Sequence, residues 1–264
     1  MPHARGLAGA VLLPILALLA GGCAAGGDNP PVSAEDMPAL GACRDLTPAD
    51  VAEPSNATAV VDCSAEHTAE TYAVGSLPER FADAEYDDRV LGAYAYKTCS
   101  TAFMKFLGAD ESLVMRTVLS WAWFRPSEGA WDAGSRWYRC DVIGGGEQSA
   151  AYVTLPETAE DVLLGKPDDR WLVCVDGESV DAGAKIPCSQ AHAWRAVTTI
   201  KLGEDADPYP GDRVVQVRTR DFCSDSVGAW LNYPVDYDFG YTWFHEAEWD
   251  AGNRRSVCWA KTES

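Results

Sequence analysis

Eight of the nine cysteines in this 264-residue chain fall into two sets of four, and that grouping constrains the fold more than any other feature. Cys43, Cys63, Cys99 and Cys140 are separated by 20, 36 and 41 residues; Cys174, Cys188, Cys223 and Cys258 by 14, 35 and 35. The surrounding residues match in order. Cys63-Ser64-Ala65-Glu66-His67 aligns with Cys188-Ser189-Gln190-Ala191-His192, and Asp88-Arg89-Val90 with Asp212-Arg213-Val214. Trp123-Phe124 aligns with Trp243-Phe244, and Trp131-Asp132-Ala133-Gly134 with Trp249-Asp250-Ala251-Gly252. Self-similarity of this kind marks a tandem duplication. We place the repeats at residues 43–142 and 171–260, joined by a linker at 143–170.

Four cysteines in one repeat allow three pairings. We favour Cys43–Cys63 with Cys99–Cys140, and Cys174–Cys188 with Cys223–Cys258. Each set would then tie an entry segment to the next strand and a helix to a closing strand. The rival use of these thiols is metal ligation. Structural zinc sites favour cysteines two to four residues apart, and none are so spaced here, so no metal and no cofactor is expected.

The N-terminus explains the ninth cysteine. Arg5 precedes an apolar run from Leu7 to Ala20, too short to span a bilayer comfortably and followed by small residues, as in a signal peptide. The run ends at Leu19-Ala20-Gly21-Gly22-Cys23, which resembles a bacterial lipobox, although Ala20 stands where Leu is usual. We read residues 1–22 as a lipoprotein signal peptide and Cys23 as the lipid-bearing residue; the alternative is a secreted protein cut beyond Cys23. Residues 23–42, rich in Gly, Pro, Ala and acids, form a flexible tether. The expected location is the extracytoplasmic face of the cell membrane.

Composition narrows the partners. With 21 Lys and Arg against 40 Asp and Glu, the formal charge is −19, which argues against nucleic acid and against charge-driven membrane binding. Removing residues 1–22 takes away Arg5 and no acid. Lipid chains bind membranes by burying methylenes and need no help from charge.

Each repeat reads as α+β: one helix packed on a small antiparallel sheet with a Trp-rich hairpin. In repeat one the helix runs from about Asp87 to Leu107, with Leu91, Ala95, Cys99, Ala102 and Phe106 on one face and Gly108 just past its end. Val215, Thr219, Cys223, Ser226 and Trp230 fill the same slots in repeat two, where Asn232 replaces the capping glycine. Ser120–Phe124 and Arg136–Val142 read as strands joined by a turn at Asp132-Ala133-Gly134. The linker holds one more expected strand, Ala151 to Leu155, and a glycine run, Gly144-Gly145-Gly146, read as flexible.

The Val61-Asp62-Cys63-Ser64-Ala65-Glu66-His67 run with Glu70, the Cys-bearing helix, the tryptophan hairpin with its Trp-x-x-Gly turn, and the closing Tyr138-Arg139-Cys140 together resemble the septum-formation domain family of actinobacterial envelope proteins. The resemblance covers nearly all of the chain beyond the tether, in two copies. The second is weaker, with Arg195 in the place of Glu70 and Ser256-Val257 in the place of Tyr138-Arg139. It implies an exported protein associated with septum formation and no defined catalytic mechanism.

Three sets of residues are candidates for chemistry. His67 and His192 each follow a cysteine by four positions, and Glu70 would orient His67 as a general base; the competing role is a structural histidine beside a disulfide. Trp121 and Trp137 have no tryptophan counterpart in the other repeat and are candidates for stacking on sugar, whereas Trp123, Trp131, Trp243 and Trp249 read as core. The acid clusters at Asp83–Asp88 and Glu204–Asp207 lack calcium-loop spacing. The leading expectation is a non-enzymatic protein that binds an envelope or division partner. A wall-glycan module using the hairpin tryptophans is the alternative, and an envelope-polymer hydrolase using His67 and Glu70 comes third.

Overall fold

The computed structural model describes residues 37–146, 149 and 151–262. The signal peptide, Cys23 and most of the tether lie outside the described residues. The described residues belong to a single compact unit.

Repeat one begins with β1 (Cys43–Arg44), α1 (Pro48–Val51) and β2 (Ala69–Ser76). It continues through α2 (Arg89–Leu107), α3 (Glu111–Val114), β3 (Ser120–Phe124), α4 (Glu128–Asp132) and β4 (Trp137–Ile143). Repeat two supplies β5 (Val173–Val175), β6 (Lys185–Pro187), β7 (Trp194–Lys201), α5 (Asp212–Trp230), β8 (Phe239–Thr242), α6 (Glu246–Ala251) and β9 (Arg255–Lys261). The fold is α+β. One sheet has the order β1-β2-β4-β3 and the other β6-β5-β7-β9-β8, antiparallel throughout.

The duplication is visible down to an irregularity. The β2–β4 ladder carries a bulge between Thr71 and Ala73, and the β7–β9 ladder one between Ala196 and Thr198. A bulge gives one strand an extra residue and re-aims its side chain. The extra residues, Tyr72 and Val197, are both buried, each in the core that holds its repeat's helix cysteine. Those cysteines are bonded to the closing strands, Cys99 to Cys140 and Cys223 to Cys258, while Cys43 pairs with Cys63 and Cys174 with Cys188.

The helices start and stop where short-range chemistry directs them. The Asp88 side chain accepts from the Val90 N–H at the α2 N-terminus, and Gly108 closes the helix at φ +70°. Asn232 takes the left-handed conformation after α5, with φ +64°. The buried stripe, however, departs from the expected spacing. It reads Leu91, Ala95, Cys99, Phe103, Leu107 on α2, and ends at Val227 and Gly228 on α5. Steps of four advance about 40° around a helix of 3.6 residues per turn, so the stripe slants across the axis as the helix crosses its sheet obliquely. Phe106 is half-buried and stacks on Tyr72, and Trp230 is exposed.

Two further expectations need correction. The turn between the hairpin strands is a helix in both repeats, α4 and α6, with Gly134 and Gly252 at positive φ just beyond. The linker forms no strand at Ala151–Leu155. It packs irregularly on repeat one, where the Val153 N–H donates to Gly144 O and the Leu155 N–H to His67 O. Leu155, Ala159 and Leu163 complete the core under α2. Gly144 is therefore a close-approach glycine and not a hinge: a Cβ there would lie 1.9 Å from Val153 O.

Candidate functional site

The histidine candidates are held by their own loops. In both repeats the ring Nδ1 lies at hydrogen-bond distance from a carbonyl two residues earlier, Ala65 O for His67 (2.8 Å) and Gln190 O for His192 (2.7 Å). A carbonyl only accepts, so Nδ1 carries the proton in each. His67 is buried, with Nε2 unpartnered. Glu70 does not orient it. One carboxylate oxygen accepts from Thr158 Oγ1 (3.0 Å) and the other from the Ala159 N–H (2.7 Å), so Glu70 fastens the linker to β2. The expected His67–Glu70 pairing is thus corrected to two separate structural roles.

Cys174, Cys188 and His192 bring three ligand-type atoms within 4.8 Å of one another. The two sulfurs are bonded to each other, and a disulfide offers no thiolate to a metal.

The tryptophans divide differently from expectation. Trp137 is 5% exposed and packs with Leu46, Ala69, Ala122, Phe124 and Ile143. It is a core residue, closed to any sugar, because it shares with Ile143, at even spacing, the face of β4 that packs against Leu46 and not α2. Trp131 and Trp249 are buried beneath the guanidinium groups of Arg136 and Arg254. Trp121 is half-buried, meets Tyr96 edge-on at 5.8 Å between centroids, and lines an open cavity.

That cavity lies where the two repeats meet. The segment following α3 crosses to repeat two: the Val118 N–H donates to Trp171 O and the Val173 N–H to Arg116 O. Arg116 Nη1 donates to Val197 O (3.0 Å), Thr199 Oγ1 donates to Ser112 Oγ (2.9 Å), and Arg255 Nε pairs with Glu111. Nearby, the Tyr96 ring sits against Gly252, where a Cβ would come within 2.6 Å of the ring, so glycine serves both the positive φ and the contact.

These contacts leave a groove of two adjoining chambers, about 450 Å³ beside Trp121 and Tyr96 and about 840 Å³ beside Trp243 and His245. Met115, Lys185, Glu248 and Asn253 line both chambers. Burial, and then the Glu111 carboxylate, push the Tyr96 phenol up to about 12, with Arg254 acting the other way. The phenol is therefore a neutral hydrogen-bonding group at any physiological pH.

Sequence reasoning missed a buried charge cluster on repeat one. Asp141 is fully buried; Thr71 Oγ1 donates to its Oδ1 (2.7 Å) and Arg139 Nε lies 2.9 Å from Oδ2. Arg44 Nη1 donates to Thr71 Oγ1 (2.8 Å), and both arginines are 2% exposed. Burial raises the Asp141 carboxyl against the pull of Arg139, and burial lowers Arg139 to about 10. The Arg139-x-Asp141 alternation on one strand face was the available signal.

A family model described as septum formation matches residues 31–124 and again residues 117–258, in keeping with two tandem copies. No curated protein and no solved structure matches the chain.

Proposed function

The chain belongs to the septum-formation family, and from that premise we propose that it is a lipid-anchored binding protein of the cell envelope, holding a septal partner in the groove between its repeats. Residues 1–22 direct export, Cys23 carries the lipid and residues 23–42 tether the repeats to the extracytoplasmic face of the membrane. Among the described residues no helix is long and apolar enough to cross a membrane.

The observation that carries the binding role is the groove. Concave sites with apolar walls and a few convergent polar groups are where ligands bind, commonly between domains. This one draws its walls from both repeats. Glu70 and the His67 Nδ1 each serve a local structural contact, which favours binding over hydrolysis.

Photo-crosslinking in cells tests the reading. A photoreactive residue in place of the exposed, groove-lining Gln216 should capture an envelope component, and one in place of the exposed Trp230 outside the groove should not. Equal capture at both positions, or none, would remove the groove as the partner site. Cys23→Ala should release the chain from the membrane fraction; full retention would refute the anchor.

A further inference from the structure

Aromatic rings stand at both ends of the groove. Trp121 with Tyr96 forms the end contributed by repeat one, and Trp243, half-buried with its ring 4.1 Å from that of His245, forms the end contributed by repeat two. Between them the lining combines Met115 with polar side chains. Gln216 is exposed on α5, and its amide makes no hydrogen bond to the described residues. The Asn253 Oδ1 accepts from the Arg255 N–H, which leaves its NH₂ as a donor.

Most of the charges lining the groove are engaged from within, with exposed Asp181 the exception. Glu111 is paired with Arg255, and Glu248 accepts from the His245 N–H. Lys185 is likewise engaged by an interaction within the chain. A strongly anionic ligand would meet an acidic protein, and a cationic one would find only Asp181 outside an existing contact among the described lining residues.

The ligand that suits such a site is long, uncharged and polar at its edges, with apolar C–H faces for aromatic rings. We propose that the groove binds a single glycan strand carrying acetamido groups, clamped between Trp121 and Trp243 with Gln216 and Asn253 reading the amides. This rests on the groove being the partner site and names the chemistry of what fills it. The duplication supplies one stacking ring per repeat. They come from different positions: Trp121 lies within β3, opposite Val142, whereas Trp243 follows the last residue of β8.

The test uses the full chain purified in detergent and a β-1,4-linked tetramer of N-acetylglucosamine as the probe, with tryptophan fluorescence and calorimetry as readouts. Saturable binding that persists at 0.5 M salt (about a 4 Å screening length) is expected, since no ion pair forms. Trp121→Ala and Trp243→Ala should each weaken binding about tenfold, Gln216→Ala about threefold, and Trp230→Ala not at all. Because Gln216 is an exposed helix position, its variant reports on the groove even where a tryptophan variant fails to fold. Loss confined to Trp121→Ala would overturn the two-ended clamp. If the tetramer does not bind while a residue at Gln216 still crosslinks to a protein in cells, the glycan is overturned and the partner site stands. If neither occurs, both fall.

Discussion

Asp141 shows how much a single residue depends on register. It lies two residues from Arg139 on the same face of β4, and the ladder places it opposite Thr71. β1 brings Arg44 to the edge of the same face. Beyond the Arg139-x-Asp141 alternation, nothing in the chain order announces that Arg44 and Thr71 join this pair, since only the folded ladder joins positions 27 to 70 residues apart. A buried ion pair adds little net stability, but removing one member leaves a charge unpaired. Asp141→Asn should therefore lower the unfolding free energy by about 3–5 kcal/mol in chemical denaturation. Repeat two offers the natural comparison, because Trp259 and Val257 occupy the positions of Asp141 and Arg139 there. A loss below about 1 kcal/mol would mean that the cluster is not held as described. Trp137 departs from expectation for a related reason. The lack of a tryptophan counterpart in repeat two suggests freedom to bind, yet the face it occupies is core, and a divergent core residue is simply a different packing solution.

Elements were more legible than residues, because the cysteines record which elements touch. The helix-to-closing-strand bonds Cys99–Cys140 and Cys223–Cys258 join buried sites whose spacing was readable beforehand, and the α2 and α5 boundaries followed from Asp88, Gly108 and Asn232. The helices α4 and α6 were hidden inside apparent turns, since Glu128–Asp132 and Glu246–Ala251 are too short for periodicity to register. In the chain-entropy account a bond constrains the unfolded state more as its loop lengthens. Cys99–Cys140 closes a separation of 41 residues and Cys174–Cys188 one of 14. Replacing both partners by Ala should thus cost about 4 kcal/mol for the first and about 3 kcal/mol for the second. Urea unfolding of the two double variants checks the order. The reverse order would place the stabilisation in local contacts of the β5–β6 hairpin and not in loop closure.

At the scale of the whole molecule, the divergence of the repeats is what joins them. The outer face of the first sheet is closed by its own entry segment, with Leu46 in the core and Asn56 accepting from Arg139. The corresponding face of the second sheet is apolar, with Val173, Val175, Trp194 and Trp259, and it receives Met115 and Val118 from repeat one. Tandem copies were readable from the sequence; their docking was not, because it uses residues in which the copies differ. Tyr96 provides a reporter of that docking. It is carried on α2, rests on Gly252 beyond α6, and titrates at about 12 against an ordinary value of 10. When folding raises the pKa of a phenol, the unfolded chain ionises first as pH rises. The contribution of Tyr96 is therefore complete below pH 10 and is lost between pH 10 and 12, by at most about 2.7 kcal/mol. Tyr96→Phe should flatten the decline of stability over that interval, and Gly252→Ala, which pushes the ring away from the junction, should lower the titration of Tyr96 toward 10 in ultraviolet difference spectra. If the wild-type phenol already titrates at 10 with the repeats intact, α2 and the segment after α6 do not bury it, and Tyr96 does not report the docking of the repeats.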